Sequence, residues 1–213
     1  MNNLIGVIVS TIYIAFVLVT SKFVSKKGEE ISRKYVHIML CNIWIIYLLF
    51  IDSLAIGCIL PALFVVINTL SYKFKLIKSM EREENDGFGT IYYAISILIT
   101  VIFSYGLDNP VFGTIGILSM GYGDGLAAVV GKNVKSHKYK IGNTTKSLAG
   151  STTMFIVTLI ISSIVLYVVG AEYFLLKGVL MSIVATILEA ISIKGLDNIT
   201  VPSILLILSY ILF

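Results

Sequence analysis

Gly121-Tyr-Gly-Asp-Gly-Leu-Ala-Ala-Val-Val-Gly-Lys132 closes an apolar run that begins near residue 111, and it sets one acidic side chain, Asp124, among three glycines at the end of that run. The run is long enough to cross a bilayer, where an uncompensated carboxylate costs about 2.5–3.5 kcal/mol or more. A charge kept in such a place implies a use for it.

The rest of the chain supplies the same setting. Of 213 residues, 57% are hydrophobic and 13% charged, with a mean hydropathy of +0.96. The charges gather between long uncharged runs instead of alternating along amphipathic helices. Apolar runs lie near 4–20, 35–51, 54–72, 90–105, 111–130, 152–170, 173–191 and 201–213. Each is close to the roughly 17–25 residues that span the hydrocarbon, and the first and last are the shortest. The expected fold is all-α: a polytopic integral membrane helical bundle of seven to eight transmembrane helices, one domain over residues 1–213.

The basic residues orient this bundle. Lys22, Lys26, Lys27, Arg33 and Lys34 fill the first connection, and Lys73, Lys75, Lys78 and Arg82 the third. Lys132, Lys135, Lys138, Lys140 and Lys146 occupy the fifth, and Lys194 the seventh. The connections around Asp52, Leu107-Asp-Asn-Pro110 and Gly170-Ala-Glu172 carry none, and Lys177 lies near enough to a span edge to snorkel. By the positive-inside rule the basic side is cytoplasmic and the N-terminus outside. The net charge of +4 is therefore a topology signal, reinforced by anionic lipid, and not a sign of nucleic acid. The first span lacks a basic leader and a small-residue cleavage site and reads as a retained helix. Cys41 and Cys58 fall inside apolar spans and read as packing residues.

The chemistry collects on the basic side. Gly121, Gly123 and Gly125 allow a backbone turn that exposes N–H groups to phosphate oxygens, and Asp124 beside such a nest suits a divalent cation. A Gly-rich helix-packing surface with an Asp cap is the other reading of the same spacing. Gly142-Asn-Thr-Thr-Lys-Ser147 imitates a phosphate-binding loop, but Thr145 stands where that motif needs Gly, and the segment reads as a loop with no strand before it. Asp124-Gly-Leu-Ala-Ala-Val129 begins like the signature of CDP-alcohol phosphotransferases, yet Val129 replaces its Arg and no Asp-x-x-x-Asp follows.

Taken in order, five segments fit one pattern. They are Arg33-Lys-Tyr-Val-His37, Glu84 through Gly89-Thr-Ile-Tyr-Tyr93, the Asp124 loop, Lys146-Ser-Leu-Ala-Gly-Ser151, and Glu189 with Gly195-Leu-Asp-Asn-Ile-Thr-Val-Pro202. Over residues 31–203 this set resembles the polyprenol kinase family, which includes dolichol kinase, phytol kinase and CTP-dependent diacylglycerol kinases. Its most specific parts are Asp124-Gly-x-Ala-Ala-x-x-Gly131 and Lys-Ser-x-x-Gly-Ser. Some members carry Glu at the position of Ala149, so no role passes to that residue. The resemblance implies transfer of the γ-phosphoryl group of CTP, less often of ATP or another nucleotide, to the hydroxyl of a membrane lipid. Mg²⁺ is the implied metal.

Residue roles follow from the physics of phosphoryl transfer, which needs positioning and neutralisation of charge. Asp124 is the expected metal ligand and orients the acceptor hydroxyl, with Asp197 as a second carboxylate. Lys146 is expected on the β- and γ-phosphates, with Ser147 and Gly150 nearby, and Gly131 and Lys132 at the nucleotide. Arg33, whose planar fork suits phosphate, and Lys34 bring charge from the second span, although both also mark the membrane boundary. His37 lies one turn after Arg33 on the same helical face. Glu189 sits in the last turn of an apolar span and requires a partner such as Arg33 or a lipid hydroxyl. Asn198 and Glu84 join the set through the resemblance alone, and Glu81, Glu83, Glu84 and Asp86 otherwise read as a solvated acidic loop. Asn42 and Asn68 read as bonds between helices, and Tyr92-Tyr93 as interfacial belt or packing. The alternatives are a CDP-linked lipid transferase or cytidylyltransferase, and a small transporter that uses Asp124 and Glu189 as an ion or proton relay.

Overall fold

A computed structural model describes residues 2–74, 88–142 and 144–213. Glu84, with Glu81, Glu83, Asp86, Lys75, Lys78 and Arg82, lies outside the described residues. The first span is α1 (Asn3–Val24), and a short 3₁₀ turn with Gly28 at φ +127° reverses the chain into α2 (Glu29–Leu40). α3 (Ile43–Phe50) completes the second span, and α4 (Leu54–Phe74) and α5 (Gly89–Gly106) form the third and fourth. The fifth is composite: α6 (Phe112–Leu118), a π-helical turn over Ser119–Asp124, and α7 (Gly125–Asn133). Then come β1 (Lys138–Ile141), β2 (Thr144–Ser147), α8 (Leu148–Val168), α9 (Phe174–Ile191) and α10 (Asp197–Leu212). Among the described residues seven of these spans are long and apolar enough to cross a membrane, and α10 is a shorter apolar helix. The all-α membrane bundle expected from the hydropathy pattern is what forms.

The α6–α7 span lies at the centre. About two thirds of its most apolar window (67%) is buried, against 22–39% for the others. On one side it packs on α1–α5 through Val17, Trp44, Val101 and Met120, and on the other against α8–α10 through Met154, Leu166, Met181 and Leu205. Outward faces carry exposed Leu, Ile, Val and Phe, as a lipid-facing surface requires. Half-buried Asn42 shows how polar residues tie such a bundle. Its Nδ2 donates to Met39 O (3.1 Å) and the Tyr13 hydroxyl (3.2 Å), and its Oδ1 accepts from the Tyr122 hydroxyl (2.7 Å). Met39 O is thus diverted from the helix ladder at the break between α2 and α3, where side-chain competition of this kind bends helices. Asn68 reaches Thr90 O on α5 (3.5 Å).

The fifth connection departs from expectation. It is not an open loop: β1 and β2 form an antiparallel hairpin in which Lys138 faces Ser147 and Tyr139 faces Lys146. Alternation turns Thr144 and Lys146 toward the protein and Thr145 outward. A strand therefore does precede the Lys-Ser pair, but it pairs with β2 itself and does not open a strand–loop–helix unit.

Candidate active site

Five elements converge at the basic end of the bundle. Asp124 closes the π-helical turn, and a wide turn of this type inside a span is a frequent mark of function. The residue is buried, 6% exposed. Its Oδ2 accepts a hydrogen bond from Lys34 Nζ (2.9 Å) and lies 3.3 Å from His37 Nε2. Lys34 and His37 are one turn apart on α2, so a single helix face presents both to Asp124. His37 Nε2 also lies 3.0 Å from Met120 O, and because a carbonyl only accepts, this nitrogen carries a proton. The Tyr93 hydroxyl donates to His37 O (3.0 Å), and the two rings are 4.6 Å apart.

A second cluster adjoins the first. Lys146, delivered inward by the hairpin, donates to Glu189 Oε1 near the end of α9 and lies 3.7 Å from Asp197 Oδ2 at the start of α10. One oxygen each of Asp124, Glu189 and Asp197 falls within a 4.8 Å set. Burial would lower the Lys146 ammonium pKa, yet the Glu189 and Asp197 carboxylates outweigh it and raise the pKa above the usual lysine value. Lys146 is therefore charged throughout the physiological range. Among the described residues Glu189 Oε2 is buried with no hydrogen-bond partner, and such an oxygen beside two other carboxylates suits a cation.

Backbone geometry holds these parts together. Gly195 adopts φ +79°, and a Cβ there would lie 2.7 Å from Gly89 Cα, so the α9–α10 link passes directly over the start of α5. Asn198 fixes the contact, its Nδ2 donating to Gly89 O (3.2 Å).

Several expectations are corrected by this arrangement. The glycines at 121, 123 and 125 do not form a turn of free N–H groups; they continue the helix and permit close packing. A Cβ on Gly121 would collide with Cys41, one on Gly125 with Ile38, and one on Gly123 would lie 2.6 Å from Met154 Sδ. The central span can approach α2 and α8 only without side chains there. Gly131 likewise packs on α8, its Cβ position 2.6 Å from Ser147 Oγ, and Ser147 caps α8 by accepting from Gly150 N (3.2 Å). Lys132 pairs with Glu30 at the exposed rim (3.2 Å), and it, Gly131, Ser147 and Gly150 line the same cavity as Asp124, where the sequence reading placed them. Glu189 finds Lys146, not Arg33, because the hairpin carries Lys146 to the end of α9. Arg33 lines the same cavity from α2, half-buried, while its neighbour Lys34 makes the contact with Asp124. Tyr93 is more than belt, since it holds the His37 backbone; the only hint in sequence is its place four residues after Gly89.

Fold and site together define a polytopic membrane protein with a buried cluster of acidic and basic side chains at one end of its bundle. The phytol kinase of Synechocystis sp. is 33% identical over 203 residues, covering 93% of this chain and 87% of that protein. Phytol kinase 1, chloroplastic, of Arabidopsis thaliana is 31% identical over 98% of this chain and 76% of its own length, and a probable phytol kinase 1 of Oryza sativa 29% identical over 87% and 65%. The chain belongs to the polyprenol kinase family, within which phytol kinases fall. No protein-family model matches it. No solved structure matches it either.

Proposed function

We propose that this protein transfers the γ-phosphoryl group of a nucleoside triphosphate, CTP as donor, to the hydroxyl of a prenol-type lipid alcohol at the cytoplasmic membrane face, with the N-terminus outside. The observation that carries the reading is the meeting of Asp124, Glu189 and Asp197 with Lys34 and Lys146 at one end of a membrane bundle, in a chain similar to phytol kinases over nearly its whole length.

The residues fit a divalent cation. Asp124, Asp197 and Glu189 would hold Mg²⁺, and the unpartnered Glu189 Oε2 is a ready ligand. Bound there, the metal would neutralise charge on the phosphates. Lys146 exchanges one carboxylate contact for a phosphate oxygen, which its length and charge allow. Arg33 approaches from α2 with a fork suited to phosphate. Lys34 holds the Asp124 carboxylate in place, with His37 packed beside it and bonded to Met120 O, and Asp124 accepts the hydrogen bond of the incoming hydroxyl. His37 cannot take that proton at Nε2, which already bears one, so it positions Asp124.

The test uses purified protein in lipid nanodiscs with γ-labelled CTP, ATP, GTP or UTP and a panel of prenols and diacylglycerol. Label in extractable prenol, greatest with CTP, is the expected result. Release of pyrophosphate or CMP would instead indicate a CDP-linked transferase, and no labelled lipid with any donor would overturn the kinase reading.

A further inference from the structure

The cavity that holds the acidic cluster does not end with polar residues. Its volume is about 1410 Å³, and away from the charges it continues as an apolar chamber walled by Leu40 and Ile43, by Leu60 and Phe64 of α4, and by Ile97 of α5. Near the polar end the lining includes Leu18 of α1 and Ile67 of α4, 38% and 42% exposed. At the other end the lining residues Ile14, Leu60 and Tyr47 are 8%, 9% and 2% exposed. The chamber is thus lined by exposed side chains of α1 and α4 beside the charges and by buried ones at its deep end.

Tyr47 closes it. The Tyr47 hydroxyl donates to Gly57 O (3.1 Å), the Tyr105 hydroxyl donates to Tyr47 O (3.1 Å), and the Trp44 ring stacks alongside. Gly57 also lets α4 lie close against α5 at this level, as a Cβ there would lie 3.1 Å from Val101 Cγ1. On α4 the lining stops at Leu60 and on α5 at Ile97, although those helices run on to Leu54 and Gly106. Beyond is a filled aromatic layer.

We propose that Tyr47 and Leu60 are the floor of a tail chamber that selects the lipid alcohol by length, admitting a single short prenyl chain and excluding long polyprenols. The depth supports this. Along the continuous helix α4 the lining descends about 16 Å from Ser71 to Leu60 at the rise of 1.5 Å per residue. A hydroxyl held at Asp124 therefore leaves extended chain for about three to four isoprene units above the floor at that helical depth. The inference rests on the lipid-alcohol reading above and adds the residues that set the substrate's size.

The full-length protein in nanodiscs is assayed with isoprenoid alcohols of increasing length, in competition. Parent kcat/KM is expected to peak at about three to four units and to fall by about tenfold or more for alcohols well beyond the floor, the scale of discrimination that pocket fit gives. Leu60→Ala deepens the chamber and should move the cutoff to longer alcohols, while Ile97→Phe shortens it and should move the cutoff to shorter ones. Loss of folding cannot shift a length profile in opposite directions. Equal use of four-unit and much longer alcohols by the parent, or parallel losses at every length in both variants, overturns the proposal. Turnover-independent evidence comes from a four-unit alcohol with a photoreactive group on its terminal carbon, which should crosslink to Tyr47 or Leu60. Crosslinking there without phosphorylation would leave the chamber standing and remove the kinase reading; crosslinking only to α1 or α4 exterior residues would do the reverse.

Discussion

Asp124 draws its importance from what surrounds it. A lone carboxylate in this burial would be strongly disfavoured, and Lys34 compensates its charge while His37 lies beside it on the same face of α2. Replacing it by Asn keeps the shape and removes the charge that holds a cation. Asp124→Asn should reduce lipid phosphorylation by about 10²-fold or more, the usual scale for a lost electrostatic contact at a reacting centre, and near-parent turnover in correctly inserted protein would sink its assignment. Arg33 lines the same cavity without sharing that position. Arg33→Lys retains charge and loses the planar fork, so it should raise the KM for nucleotide while leaving kcat nearly unchanged. An unaltered KM would show that Arg33 serves packing or topology. At this scale the sequence picked out Asp124, Lys146, Glu189 and Asp197, which the fold brings together, but not how they pair. Arg33 and Lys34 are adjacent, and only the phase of α2 decides which of them points at Asp124.

Among the elements, the composite fifth span shows how glycines and a carboxylate share one segment. The glycines have helical backbone and are needed for the space they leave, while the π-helical turn sets the direction of Asp124. Gly121→Ala and Gly125→Ala should each destabilise the protein by about 1–3 kcal/mol through overpacking against Cys41 and Ile38. The check is thermal unfolding in detergent, and two variants as stable as the parent would contradict the close packing. A Gly-rich run is compatible with an anion-binding turn and with a packing seam, and the choice depends on how near the neighbouring helix lies, which no local pattern encodes. The β1–β2 hairpin was hidden for a related reason. Four-residue strands carry little periodicity, and this pair is stabilised by facing the bundle, with Tyr139 and Ser151 hydroxyls 2.5 Å apart.

For the molecule as a whole, the repeated Gly-Leu-Asp-Asn segments at 106–109 and 195–198 provide an internal control. Asn198 is tied to Gly89 at the start of α5, whereas Asp108 follows the other end of that helix, at φ 52° in a turn. The two aspartates therefore lie at opposite ends of the bundle. Asp197→Asn should nearly abolish phosphorylation or raise the metal requirement, while Asp108→Asn should keep activity within about threefold, as for an exposed change of about 0.5 kcal/mol or less. Equal losses at both positions would overturn the role given to Asp197, and cysteine labelling that placed positions 108 and 197 on the same membrane side would overturn the topology. The sequence by itself determined the bundle, because bilayer thickness dictates apolar length residue by residue and needs no knowledge of neighbours. It also determined that the two Gly-Leu-Asp-Asn segments fall on connections of different charge, and it carried the family likeness. Tertiary structure alone decided that Lys146 meets Glu189, that the glycines are a seam, and that Tyr47 ends the apolar chamber. Those contacts join residues tens of positions apart, and they arise from how helices rotate and approach each other, which packing of the whole bundle determines.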